Sequence, residues 1–97
     1  MTHVRVRDGP NGYALTSVGH AGTEAACVGV SALVQALAGW AMNNDASSFM
    51  SLDKGEALIA FHPCEGSNAV MELIAIGLLQ IEKAAPEAVK VEIIHEE

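Results

Sequence analysis

The sequence predicts an α/β (α+β) two-layer domain, a mixed sheet of four to five strands with two helices packed on one face. Three observations predict it. Segments near both ends, His3 to Arg7 and Val89 to Ile93, alternate polar and apolar residues, the period of a half-buried strand. Two longer segments carry apolar residues three and four apart, the period of an amphipathic helix. Corners rich in Gly, Pro and Asn separate them,. The order is strand-strand-helix-strand(s)-helix-strand. Each helix has one apolar face to bury, and one face of the sheet serves both. The opposite face is left to solvent or to a dimer.

His3 to Arg7 is the first strand, with Val4 and Val6 on one side. Gly9-Pro10-Asn11-Gly12 turns the chain, Asn-Gly being the strong hairpin signal,. Tyr13 to Val18 returns as a second strand and delivers the chain to Gly19 and His20. From about Ala26 the stripe Val30, Leu33, Val34, Leu37, Trp40 and Ala41 marks the first helix, which Asn43-Asn44-Asp45 stops,. Gly29 and Gly39 weaken it by roughly 1 kcal/mol each and leave room for another element to approach. Asn43 to Ser48 reads as simple loop. Phe49 to Leu52 is a short strand, Asp53-Lys54-Gly55 a turn, and Ala57 to Phe61 an apolar strand,. Ser67 is the expected cap of a second helix, with the stripe Val70, Leu73, Ile74, Gly77, Leu78 and Ile81 and its end at Pro86,.

Ninety-seven residues, 51% apolar and 18% charged, argue for one folded domain over residues 1–97,. Twelve acids against five bases give a net charge of -7. Arg5, Arg7, Lys54, Lys83 and Lys90 are scattered, so no basic patch is expected to bind nucleic acid directly. An acidic surface suits a basic partner. Met1 to Arg7 lacks the continuous apolar run of a secretion signal, and no stretch is expected to reach the ~20 apolar residues of a membrane span. Two cysteines do not make a disulfide scaffold,. The expected setting is cytoplasmic, with both thiols reduced and no membrane contact.

The chemistry concentrates at Gly19-His20-Ala21-Gly22 and Cys27. His20 closes a strand and Cys27 opens a helix. Unpaired N–H groups and positive dipole potential at a helix start favour a thiolate. A neighbouring imidazole would make the pair a nucleophile and its general base and acid. Backbone amides near Cys27 and Val28 are the expected oxyanion donors. Gly19, Gly22 and Thr23 give the loop freedom to fold back. Glu24 orients His20, contacts substrate, or simply favours the helix terminus as an acid in its first turn. Ser31, one turn beyond Cys27, lines the cleft or bonds a backbone carbonyl. On residue types alone, a buried structural cysteine and a plain strand-end histidine stand beside this reading.

Three stretches resemble a known family. They are Gly19-His20-Ala21-Gly22 with Glu24 and Cys27 running into Val30-Ser31-Ala32-Leu33, Leu78-Leu79-Gln80-Ile81 with Pro86 and Val89-Lys90-Val91, and the order of elements over nearly the whole length. The chain resembles the bacterial ribosomal-processing cysteine protease family, Prp. The resemblance implies an α/β homodimer in which Cys27 is the nucleophile and His20 the general base, acting without a cofactor. It also implies a substrate, a basic large-subunit ribosomal protein whose N-terminal extension is removed. The histidine-to-cysteine loop is shorter than the family's, Ala25 and Ala26 replace its hydrophobic pair, and Ala85 stands where a tyrosine is usual.

Two other classes remain open on the sequence. One is a non-catalytic protein-binding module of the same fold acting in ribosome assembly. The other is a small structural metal-binding protein in which His62 and Cys64 join His20 and Cys27 around zinc, although the spacings match no common zinc motif. No metal is the expectation.

Overall fold

The computed structural model describes residues 1–20, 22–53 and 55–96. Five strands, β1 (Thr2–Gly9), β2 (Gly12–Val18), β3 (Ser47–Asp53), β4 (Glu56–Phe61) and β5 (Val89–His95), form one mixed sheet in the order β3-β4-β2-β1-β5. Among the described residues only the β1–β5 pairing is parallel. Helices α1 (Glu24–Asn43) and α2 (Ser67–Ala84) connect β2 to β3 and β4 to β5. The two-layer α+β expectation holds, with five strands.

Strand alternation sets the layers. Val4 and Val6, Tyr13 and Leu15, Ile59 and Phe61, and Val89 and Val91 are buried beneath the helices. His3, Arg5, Arg7 and Glu92 on the alternate positions are exposed. Helix α1 buries Val30, Val34, Leu37, Ala38 and Ala41, and α2 buries Met71, Ile74 and Leu78. Each large aliphatic or aromatic side chain in this layer contributes about 1.5–3 kcal/mol. Trp40 meets Phe61 edge-on at 5.7 Å, and Tyr13 stacks on Phe61 at 5.0 Å.

The helices touch through reciprocal small-residue contacts. A Cβ at Gly29 would stand 3.0 Å from Ile81 Cδ1, and one at Gly77 would stand 2.9 Å from Leu33 Cδ1. Gly29 therefore admits the second helix, as expected of a helical glycine. Gly39 has nothing within 4 Å and admits no other element.

Several local expectations need correction. The first hairpin falls at the expected Gly9-Pro10-Asn11-Gly12 turn, but Pro10-Asn11 and not Asn11-Gly12 forms its tip, with Gly9 and Gly12 as the closing pair. Helix α1 begins at Glu24, so Cys27 is its fourth residue and does not open it. An 18-residue window of α1 has a mean hydropathy of 1.6, long and apolar enough to cross a membrane, contrary to the sequence reading. In this fold the helix is the cover of the sheet. Ser67 does not cap α2. Gly66 is the N-cap, and Ser67 Oγ instead donates to the Cys64 carbonyl at 2.7 Å and accepts from the Cys64 N–H at 3.2 Å. Leu73 is 69% exposed and Met71 takes its expected core place, because Met71, Ile74 and Leu78 point at the sheet while Gly77 and Ile81 turn toward α1. The loop after α1 is more than a polar bend. Ala46 is buried, bonds Ala41 through its N–H, and accepts from the His62 N–H at 3.0 Å. Lys54, part of the expected second turn, lies outside the described residues.

Candidate active site

β2 and β3 run parallel, since each is antiparallel to β4. Their C-terminal ends, Val18 and Asp53, therefore lie at the same edge of the sheet as the N-terminus of α1. A cleft opens there. One wall is the first half of α1, with Cys27, Val30, Ser31, Val34 and Gln35. The other is the β3–β4 corner, with Leu52, Asp53, Gly55, Glu56 and Ala57. Thr2, Ser17, Gly19 and His20 close it from the ends of β1 and β2. The space within it measures about 130 Å³.

The cleft brings the two predicted chemical residues together. Cys27 is half-buried on one wall and His20 is exposed at the rim. The histidine is placed by the contacts of the residue before it. The Gly19 N–H donates to the Gly55 carbonyl at 2.8 Å, and its own carbonyl accepts from Thr2 Oγ1 at 3.4 Å. Gly19 has φ +99, and a Cβ there would collide with the Met1 carbonyl oxygen, so only glycine suits this corner. The imidazole lies over Gly55, where a Cβ would be 2.9 Å from Nε2 and 3.1 Å from Cε1.

The loop to the cysteine is tied at both ends. Thr23 is the N-cap of α1 and its side chain accepts from the Ala26 N–H at 3.3 Å. Of the three residues expected to make this loop flexible, Gly19 and Thr23 are thus hydrogen-bonded, while Gly22 has nothing within 4 Å of where a Cβ would stand. Ala21 lies outside the described residues.

The expected oxyanion donors need revision. The Cys27 N–H donates to the Thr23 carbonyl at 3.0 Å, the first regular bond of the helix. Val28, one residue further in, is likewise interior helix, where amides are committed to the ladder. Glu24 and Ala25 hold the amides that precede that first bond. Glu24 itself is exposed in the first turn of α1 and does not line the cleft. That position is the one an acid favours beside the helix dipole. Ser31 is exposed and lines the cleft.

Sequence reasoning missed the contributions from β1, β2 and the β3–β4 corner. Ser17 carried a readable signal, because it shares its face with Tyr13 and Leu15 and is the polar member of that row. Asp53 and Glu56 are opposed across the corner and take the outer-face positions by strand parity, yet both line the cleft. Ser51 Oγ, on that same outer face, lies 3.5 Å from Asp53 Oδ2.

Cys64 is not part of this site. It sits beside Ser67 and Tyr13 at the opposite end of β2, about 20 Å away along a seven-residue strand. The four-ligand zinc set is therefore not assembled. Among the described residues no three His, Cys, Asp or Glu side chains come together as a metal site.

No protein-family model matches the chain, and no curated protein matches it in sequence. Solved structures do match in fold. The essential ribosomal processing protease Prp from S. aureus, in complex with a covalently linked product peptide, superposes with a TM-score of 0.80 at 16% identity, over 96% of this chain and 99% of that one. The same protease with a substrate peptide gives 0.74 at 15% identity over the same shares. SMU.848 from Streptococcus mutans gives 0.73 at 19% identity, over 99% of this chain and 96% of that one. The chain has the fold of these proteins along nearly its full length.

Proposed function

We propose that this chain is a cysteine endopeptidase that removes the N-terminal extension of a basic large-subunit ribosomal protein. The observation that carries the reading is the meeting of His20 and Cys27 in one cleft at the mouth of α1. The shared fold with a ribosomal processing protease supports the choice of reaction and substrate. The net charge of -7 suits a basic substrate,. The protein acts in the cytoplasm as a homodimer, and its chemistry uses no metal or cofactor.

His20 takes the proton of the Cys27 thiol. Sulfur attacks the scissile carbonyl, a carbon–sulfur bond forms, and the carbonyl electron pair moves onto oxygen. The intermediate collapses, and His20 returns its proton to the departing amine. His20 then takes a proton from water, whose hydroxide releases the acyl group and regenerates the thiol. No third catalytic residue is needed, which fits Glu24 standing outside the cleft.

The test is incubation with the N-terminally extended ribosomal protein of the same host and mass analysis of the products. The expected result is one cut within the extension, abolished by Cys27→Ala and by His20→Ala. Tight binding without Cys27-dependent cleavage would assign the non-catalytic binding module instead.

A further inference from the structure

Ser17 is a polar residue in an apolar row. It shares the buried sheet face with Tyr13 and Leu15, and its pairing partners across the sheet are Val4 and Ala57. It is 8% exposed and lines the cleft shared by Cys27 and His20. Among the described residues its hydroxyl has no hydrogen-bond partner. No fully enclosed side-chain polar atom among them is left unpaired, so the Ser17 oxygen is one that reaches the cleft. With no partner in the protein, the hydroxyl is left to bond whatever occupies the cleft.

Of the other donors nearby, the Glu24 and Ala25 amides lie on exposed residues, and the rest are committed or wet. The Cys27 and Ala26 amides bond Thr23. Thr2 Oγ1 donates to the Gly19 carbonyl. Ser31 and Gln35 lie toward solvent and must shed water before binding anything. A donor already held in place by a sheet strand suits the stabilisation of developing charge, because it needs little reorganisation.

We propose that the Ser17 hydroxyl donates a hydrogen bond to the carbonyl oxygen of the scissile bond as Cys27 attacks it. The inference rests on the thiol-protease reading above. Ser17 exchanges no proton and forms no bond. As the carbon–sulfur bond forms and the carbonyl pair moves to oxygen, that oxygen gains negative charge and the Ser17 hydrogen bond strengthens. The contact is thus worth more in the transition state than in the bound substrate, so it acts on kcat more than on KM.

Ser17→Ala tests this. The extended ribosomal protein is the substrate, iodoacetamide the probe of the thiol, and thermal unfolding the control for the fold. The expected result is a fall in kcat of about a hundredfold, with KM within about threefold. Iodoacetamide labelling of Cys27 stays unchanged, because alkylation develops no oxyanion, and Tm is equal or higher. A kcat within about threefold of the parent overturns the inference while leaving the protease reading intact. So does a loss that appears equally in labelling or in Tm, since the hydroxyl would then be structural. Cleavage that survives Cys27→Ala, or no cleavage at all, overturns both.

Discussion

The His20 imidazole rests on Gly55, a residue of the β3–β4 corner far along the chain, so close that a Cβ at Gly55 would stand 2.9 Å from Nε2. The Gly55 carbonyl also accepts the Gly19 N–H. One glycine therefore supports both the backbone before the histidine and the ring itself. Gly55 has φ +79, which costs a residue with a Cβ about 1–2 kcal/mol. In Gly55→Ala the ring must leave its place, and a displacement of ~1 Å at a reacting group is enough to cost about a hundredfold in rate. The expected outcome is a loss of cleavage much larger than the fall in Tm, which should be about 4–16 °C. Parallel kinetics and thermal unfolding on the purified variant check it. Parent-like kcat in a folded Gly55→Ala would show that the ring position does not matter.

The two cysteines are matched controls for one another. Both are free and half-buried, so access alone does not separate them. Cys27 lies near the start of a helix and shares a cleft with His20. Cys64 precedes α2, near Ser67. Iodoacetamide at neutral pH is expected to label Cys27 at least about tenfold faster than Cys64. His20→Ala should erase most of that difference while leaving Cys64 unchanged. Peptide mapping by mass spectrometry gives both rates in one reaction, and equal rates in the parent would remove the case for an activated thiol.

The parts legible in the sequence are those whose signal is local. β1 and β5 each have one wet and one dry face, so alternation shows directly in Thr2–Gly9 and Val89–His95. β3 is an edge strand with both faces largely open, and only Phe49 to Leu52 carries a strand signal. α1 starts earlier than its apolar stripe because Glu24 and Ala25 are exposed and carry no pattern. The histidine and cysteine lie on one short stretch and are visible as a pair. The wall facing them comes from Leu52, Asp53, Gly55, Glu56 and Ala57, which only the crossover of α1 and the return of β4 bring near. Ser17 is legible in principle, by parity against Leu15, but nothing local says that its end of the row opens onto a cleft.

Two helical glycines should respond in opposite directions. Gly39 in α1 has nothing within 4 Å of where a methyl group would stand, so Gly39→Ala gains helix propensity at no steric cost. A stabilisation of about 0.5–1 kcal/mol follows. Gly77 in α2 faces Leu33, with its Cδ1 and Cδ2 at 2.9 and 3.2 Å from an added Cβ. Gly77→Ala gains the same propensity but must push the helices apart or force Leu33 from its rotamer, at about 1–3 kcal/mol. Urea unfolding of the two variants should move the midpoint up for the first and down for the second. A rise for both would show that the helix crossing has slack.

The exposed margin of the sheet supplies the last prediction. β5 ends the strand order beside β1, so half of its backbone groups have no strand to pair with. Glu82, from the last turns of α2, accepts the Val91 N–H through Oε2 at 2.6 Å. The bond is charge-assisted and half-buried, and it occupies a donor that would otherwise invite another strand. Glu82→Ala leaves that N–H without its partner, at a cost of about 1.5–3 kcal/mol. Glu82→Gln keeps an acceptor and should lose clearly less. Thermal unfolding ranks the three proteins, with parent above Gln above Ala. Sedimentation at rising concentration checks the second consequence, that only the alanine variant associates beyond the parent's state. An alanine variant as stable as the parent would mean that water satisfies Val91 as well as the carboxylate does.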